Sequence, residues 1–167
     1  MRVLVVDPTA CDGCRICEIV CSLKNEGACM PEISRIRVVR YEDKGVFVPV
    51  TCLHCEDAPC IRVCPVRALS RDPKTNAVVV DGELCVGCKL CVYVCPLGAP
   101  VFDPERGKVV KCDLCGGDPT CVRFCSRKAI QYVPAEKLSA VRKRAGADVI
   151  MELMKTMGIP GLGVSGG

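Results

Sequence analysis

Cysteine is the residue type in this chain that is most able to do chemistry, because 17 of the 167 residues are cysteines. Sixteen of them fall into four groups of four, and in every group the last two cysteines have three residues between them. The groups are Cys11, Cys14, Cys17 and Cys21; Cys52, Cys55, Cys60 and Cys64; Cys85, Cys88, Cys91 and Cys95; and Cys112, Cys115, Cys121 and Cys125. Thiols at such short spacings either pair as disulfides or bind a soft metal as thiolates.

The start of the chain favours metal over disulfides. The stretch MRVLVVDPTAC contains an apolar run of only Val3–Val6, which is shorter than the core of a signal peptide. No segment reaches the roughly 18 apolar residues of a membrane span. We therefore expect a cytoplasmic chain without a transmembrane segment, although a folded subunit can also be exported on a partner that carries the signal. Clustered cysteines in the cytoplasm bind metal more often than they form disulfides.

The spacing within the third group, CVGCKLCVYVCP, favours a [4Fe–4S] cluster. A C-x2-C-x2-C loop can place three sulfurs on three irons, and the fourth cysteine, about one helical turn further on, reaches a second cluster. Four complete groups therefore predict four [4Fe–4S] clusters. A zinc site made of two CxxC pairs is the alternative, but zinc has no use for the longer run of four cysteines.

The charge balance agrees with anionic clusters and excludes other functions. The formal net charge is +4 with neutral thiols, and four oxidised clusters of about −2 each would bring it to about −4. The basic residues are dispersed and not interleaved with aromatic residues, so no nucleic-acid partner is expected. We find no Ser–His–Asp set, no paired carboxylates, no GxGxxG and no phosphate loop. The sequence therefore predicts no catalytic residues.

The segments between the groups repeat one pattern of short helix and hairpin, which predicts an α+β fold. Residues 35–51, 68–81 and 99–111 each read as two strands around a turn, with the turns EDKG, DPKTN and DPERG. Residues 129–133 read as a last strand, with Arg2 to Val6 available to pair with it. Two such units make a ferredoxin-like module, so four units predict two modules. The first group could pair with the second, or with the fourth around a nested inner module.

The C-terminal residues 135–167 contain no cysteine and predict a helical tail with a frayed end, GLGVSGG. Apolar residues recur there at steps of three and four, which indicates one helical face. They are Leu138, Val141, Ala145, Val149, Leu153 and Met157. This face could pack on the rest of the chain or bind a partner.

Two phrases carry a resemblance to a known family. CLHCEDAPC and KCDLCGGDPTCVRFC resemble the four-cluster electron-transfer subunits of the dimethyl sulfoxide reductase iron–sulfur family. Over about residues 1–134 the chain looks most like the small subunits that accompany tungsten-dependent aldehyde oxidoreductases. The small subunit of anaerobic benzoyl-CoA reductase and ferredoxins associated with carbon monoxide dehydrogenase or hydrogenase are also similar.

The resemblance implies a nested arrangement. Residues 1–34 and 99–134 would form an outer module and residues 35–98 an inner one with a connecting hairpin. The implied ligand sets are Cys11, Cys14, Cys17 and Cys125; Cys112, Cys115, Cys121 and Cys21; Cys52, Cys55, Cys60 and Cys95; and Cys85, Cys88, Cys91 and Cys64. In this family a proline often follows the fourth cysteine and stops its helix. Pro65 and Pro96 fit this, whereas Ser22 and Ser126 stand in the same place and weaken the stop.

The resemblance also implies a function. The chain would be a non-enzymatic subunit that carries single electrons between a large catalytic subunit of the tungsten- or molybdenum-pterin type and a second redox protein. A free polyferredoxin is the alternative.

Two residues outside the ligand sets call for an interpretation. His54, the one histidine, reads as a surface or loop-packing residue in preference to one that tunes a cluster. Cys29 reads as an inert, small, buried residue.

Overall fold

The computed structural model describes residues 1–137, which form four short helices and eight strands besides short 3-10 turns. The helices are α1 (Ile16–Glu26), α2 (Pro59–Arg62), α3 (Leu90–Val94) and α4 (Thr120–Arg123). The strands are β1 (Arg2–Val6), β2 (Ile36–Tyr41), β3 (Val46–Thr51), β4 (Leu69–Arg71), β5 (Val78–Val80), β6 (Val101–Asp103), β7 (Lys108–Val110) and β8 (Ile130–Pro134). The mixture of short helices and short paired strands confirms the predicted α+β fold class.

Every sheet within the described residues is two-stranded. Three are the antiparallel hairpins that the sequence predicts, β2 with β3, β4 with β5 and β6 with β7. The fourth sheet joins β1 to β8, which is the pairing expected for the last strand. Pairs this small are not stable alone, since an isolated hairpin is marginal in water. The hairpins must therefore gain their stability by packing on the cysteine-bearing segments.

Of the four helices described, only α1 extends past the residue that follows the fourth cysteine of its group. Helices α2 and α3 end just before Pro65 and Pro96, because proline cannot continue the hydrogen-bond ladder. Helix α1 has Ser22 at this position and continues to Glu26. The Ser22 hydroxyl donates to the Ile19 carbonyl at 3.0 Å and accepts from the Met30 amide at 3.1 Å. Helix α4 ends at Arg123 although Ser126 takes the same place, so serine in place of proline does not by itself lengthen a helix.

Two clusters of buried side chains form the core, and each combines two cysteine groups. One cluster joins the first group to the fourth, and it contains Cys17, Cys21, Cys121, Ile36, Val38 and Ile130. The other joins the second group to the third, and it contains Cys60, Cys91, Ala58, Leu69, Val78 and Val109. Helix α1 packs on α4, and α2 packs on α3. This pairing of groups is the one that a nested arrangement requires.

The hairpins at the predicted module boundaries pack differently from the expectation. Ile36 and Val38 of β2 lie in the core of the first and fourth groups, although residues 35–98 were expected in the inner module. Val109 of β7 lies in the core of the second and third groups, although residues 99–134 were expected in the outer module. The reason is chain connectivity, since each hairpin packs on the core of the group that it follows. The division into modules itself stays a prediction.

Residues Met1–Tyr132 form one compact unit, and a second unit begins at Val133. The apolar stripe expected between Leu138 and Met157 lies outside the described residues. No helix among residues 1–137 is both long and apolar enough to cross a membrane.

Candidate metal centres

The loops that carry the first three cysteines of a group depend on backbone conformations that glycine adopts most easily. Gly13 in CDGC has φ +74°, and Gly87 in CVGC has φ +69°. A Cβ atom added to Gly87 would lie 2.0 Å from the carbonyl oxygen of Gly107 in the β6–β7 turn. The turn therefore lies directly against the third loop. Aspartate supports the fourth loop, where the Asp113 carboxylate accepts from the Cys115 amide at 2.9 Å.

Three cavities are each lined by four cysteines, and each has about 320 Å³ of open space. In every case three cysteines come from one group and the last one comes from its packed partner group. The first cavity has Cys11, Cys14, Cys17 and Cys125; the second has Cys21, Cys112, Cys115 and Cys121; the third has Cys64, Cys85, Cys88 and Cys91. The structure thus brings together twelve of the sixteen predicted ligand residues in sets of four.

The remaining four cysteines are Cys52, Cys55, Cys60 and Cys95. Cys52 and Cys60 are buried, while Cys55 is exposed. Burial raises the pKa of the Cys60 thiol; the charge of Lys111 opposes this shift, and the charges of Cys52 and Cys95 reinforce it. Because such charge effects act over short distances, Cys60 lies near one cysteine of its own group and one of the third group. Two of the other three cysteines of the implied set, Cys52 and Cys95, thus lie near Cys60.

Backbone amides point at several of the cysteine sulfurs. The amide of Ala68 donates to the Cys64 sulfur at 3.2 Å, and the amide of Ala99 donates to the Cys95 sulfur at 3.4 Å. In both cases the donor lies four residues after the fourth cysteine of its group. Amide donors stabilise a thiolate and shift the reduction potential of a cluster bound to it. The sulfurs are therefore set up to carry negative charge.

The buried thiols would not ionise without a nearby cation. Burial raises the pKa of Cys17 and Cys112 to about 12 and the pKa of Cys91 to about 11. A bound metal deprotonates such thiols outright, because its positive charge stabilises the thiolates. None of the cysteines is in a disulfide. Among residues 1–137, no three His, Cys, Asp or Glu side chains are placed to hold a single metal ion.

His54, which is partly buried, and Lys111, which is buried, are polar residues beside the cysteines. The Nδ1 atom of His54 accepts from the amide of Val78 at 2.9 Å, which agrees with the interpretation as a surface or loop-packing residue. Burial lowers the pKa of His54 to about 4, with the charges of Lys111 and Arg71 acting in the same direction. Lys111 is only 3% exposed. Sequence reasoning missed it, and its one signal is its position immediately before Cys112.

Cys29 is exposed, and this corrects the expectation of a buried residue. It lies just beyond helix α1, in the short segment that leads to the turn Pro31–Ile33.

Comparison with known proteins identifies the family of the chain. Residues 43–135 match the model of the 4Fe-4S dicluster domain. The polyferredoxin-like subunit of an aliphatic sulfonate oxidoreductase from Pyrococcus furiosus is 50% identical over 122 residues, which cover 73% of this chain and 70% of the relative. One subunit of the anaerobic dimethyl sulfoxide reductase of Escherichia coli is 35% identical over 161 residues, covering 84% and 76%. The solved active-site complex BamBC of benzoyl coenzyme A reductase includes a polypeptide that is 25% identical, with a TM-score of 0.48 and coverage of 93% and 97%.

This protein belongs to the family of 4Fe-4S dicluster domain proteins. Within it, the chain is an iron–sulfur electron-transfer subunit of the kind found in oxidoreductase complexes, and not a catalytic subunit. The predictions of [4Fe–4S] cofactors, of a non-enzymatic role and of the resemblance to the dimethyl sulfoxide reductase iron–sulfur family are confirmed.

Proposed function

We propose that this chain holds four [4Fe–4S] clusters and carries single electrons between a large catalytic subunit and a second redox protein. The observation that supports this most directly is the set of three cavities in which four cysteines from two groups converge. When bound, a [4Fe–4S] cluster takes up and releases one electron at a potential that its surroundings set. The protein's own contribution is to fix the positions of the sulfurs and the polarity around them.

We propose the nested ligand sets for these clusters. The sets are Cys11, Cys14, Cys17 and Cys125; Cys112, Cys115, Cys121 and Cys21; Cys52, Cys55, Cys60 and Cys95; and Cys85, Cys88, Cys91 and Cys64. Pairing of the first group with the fourth defines an outer module and pairing of the second with the third an inner one. Because each hairpin packs on the core of the group that it follows, we place the boundaries after residues 51 and 111.

We further propose that the catalytic partner contains a tungsten or molybdenum pterin and that the complex is cytoplasmic. Support for a large oxidoreductase partner comes from relatives that are subunits of sulfonate and dimethyl sulfoxide reductase enzymes. A tagged chain purified anaerobically from its native host should bring down a large subunit with stoichiometric tungsten or molybdenum. A chain that purifies alone, yet accepts electrons from several unrelated enzymes, would instead be a free polyferredoxin.

The number of clusters is tested by metal analysis. Anaerobically purified protein should contain about sixteen iron and sixteen sulfide per chain. A count near eight iron would show that two of the ligand sets are empty and would overturn the proposal of four clusters.

The crossed ligand sets are tested by serine variants. The Cys95→Ser and Cys55→Ser variants should perturb the same resonance in low-temperature spectra of the reduced protein, because both residues belong to one proposed set. Cys88→Ser and Cys64→Ser should form a second matching pair. The comparison uses variants that keep the other three clusters. If Cys95→Ser matches Cys88→Ser instead, each motif binds its own cluster and the nested sets are wrong.

A further inference from the structure

Lys111 is a buried cation without an anionic side chain to pair with. It is 3% exposed, and its Nζ atom donates to the carbonyl oxygen of Val78 at 2.6 Å and to that of Cys112 at 3.5 Å. Within residues 1–137 it forms no salt bridge with a carboxylate. Burying an uncompensated ammonium costs several kcal/mol, so this position needs negative charge from another source.

His54 is a buried hydrogen-bond donor without an acceptor. Its Nδ1 atom accepts from the Val78 amide at 2.9 Å, so the ring is neutral and its proton is on Nε2. This Nε2 atom is buried and has no hydrogen-bond partner among the described residues. A buried N–H that lacks an acceptor is unfavourable, because it has lost its hydrogen bond to water without replacement. The Val78 carbonyl oxygen accepts from Lys111 Nζ, and the Val78 amide donates to His54 Nδ1. Val78 thus holds two residues whose ammonium group and Nε2–H still lack a negatively charged partner.

These two residues lie where the second and fourth cysteine groups approach each other. Lys111 directly precedes Cys112 of the fourth group, and its charge acts on both His54 and Cys60 of the second-group region. The sulfur of Cys52 lies 3.8 Å from His54 Nδ1. His54 and Lys111 thus both lie against Val78, which packs in the core that also contains Cys60, and Cys60 binds a cluster only as a thiolate.

We propose that Lys111 and His54, here called the junction pair, raise the reduction potential of the cluster held by Cys52, Cys55, Cys60 and Cys95. This inference rests on the function proposed above. Reduction adds one negative charge to the cluster and its thiolates, and a fixed ammonium nearby stabilises that added charge. A donated N–H acts in the same direction. Because the junction pair lies between the two proposed modules, it stabilises the electron on this cluster, where the electron passes from one module to the other.

The variants are chosen so that shape and backbone are preserved. Lys111→Met removes the charge and keeps the unbranched stem, while Lys111→Arg keeps the charge. Lys74→Met removes the same charge from the exposed turn of the β4–β5 hairpin and serves as the matched control. His54→Asn keeps an acceptor for the Val78 amide but loses the Nε2 donor. Asparagine also tolerates the φ of +49° at this position.

Midpoint potentials are measured on purified protein by redox titration with low-temperature spectra, after iron and sulfide have been counted. Lys111→Met should make one-electron reduction of the cluster that Cys55→Ser perturbs at least tenfold less favourable, a fall of about 59 mV or more. His54→Asn should lower the same midpoint. The Lys111→Arg and Lys74→Met variants should change the equilibrium constant for reduction of this cluster by less than twofold.

The proposal is overturned if fully loaded Lys111→Met and His54→Asn proteins keep all midpoints unchanged. If only one of the two variants retains its iron, that variant decides the outcome. Loss of iron from both would also overturn the proposal, because it assigns the pair to tuning and not to assembly. An iron count well below sixteen in the unmodified protein would be a failure of the proposed function instead.

Discussion

Replacement of Gly87 by alanine should selectively damage the third cysteine loop. The residue has φ +69°, and the left-handed conformation costs a non-glycine residue about 1–2 kcal/mol. The new Cβ atom would lie 2.0 Å from the Gly107 carbonyl oxygen, so an ordinary contact of 3.4 Å requires a displacement of about 1.4 Å. Because that oxygen belongs to backbone, it cannot rotate away as a side chain could. Overpacking of this kind adds about 1–3 kcal/mol, for a total of about 2–5 kcal/mol.

The matched control is Gly98→Ala. Gly98 has φ +59° and also lies close to a proposed ligand, but nothing lies within 4 Å of the position that an added Cβ atom would occupy. It should therefore lose only the conformational term of about 1–2 kcal/mol. Iron content and the loss of visible absorbance in guanidinium are measured for both proteins. Gly87→Ala should lose about four of sixteen iron and bleach at lower denaturant. Equal iron and equal resistance in the two variants would refute the close approach of the β6–β7 turn to this loop.

Three other perturbations have defined outcomes. Glu18 is fully buried and accepts from the Val38 amide at 2.7 Å, so Glu18→Ala should destabilise the holoprotein by about 3–5 kcal/mol in guanidinium. Glu18→Gln, which keeps an acceptor, should cost about 1–2 kcal/mol, and equal losses would contradict the assigned contact. Removal of iron should abolish cooperative unfolding and most of the circular dichroism, because the cores are small and rich in cysteine; native dichroism in the apoprotein would contradict this. Burial raises the pKa of Cys17 to about 12, so protons compete with iron for the sulfur. Cluster loss to a chelator should therefore accelerate as the pH falls from about 8 to about 6, and a rate independent of pH would argue against thiolate ligation.

The local features of the fold could be predicted because they depend on short-range chemistry. The turns DPKTN and DPERG, flanked by β-branched residues, identify two hairpins, and the structure has strands at Leu69–Arg71, Val78–Val80, Val101–Asp103 and Lys108–Val110. Cysteine spacing identifies the loops in the same way, since two intervening residues allow neighbouring sulfurs to face one site.

Several features that sequence reasoning missed depend on contacts between distant segments. His54 is held by Val78, 24 positions away, and Lys111 by the same residue, 33 positions away. Neither spacing follows a helical or strand period, so no local sequence pattern predicts the contacts of His54 and Lys111 with Val78. The exposure of Cys29 was missed because it depends on where helix α1 ends. The packing of the β2–β3 and β6–β7 hairpins was not predicted, because the expected boundaries after residues 34 and 98 placed each hairpin with the cysteine group that follows it in the chain. In the structure each hairpin packs on the core of the group that precedes it.

The packing of the β2–β3 and β6–β7 hairpins explains how such short elements can hold the cysteine groups in fixed positions. The β2–β3 hairpin leaves the first group and packs on the core of the first and fourth groups, while β6–β7 leaves the third group and packs on the core of the second and third. Glu26 at the end of α1 pairs with both Arg35, next to β2, and Arg106 in the β6–β7 turn. The side chain of Glu26 is only 3% exposed, while the side chains of Arg35 and Arg106 are 17% and 53% exposed. One carboxylate therefore joins the segment that precedes β2, which packs on one core, to the turn of the β6–β7 hairpin, which packs on the other.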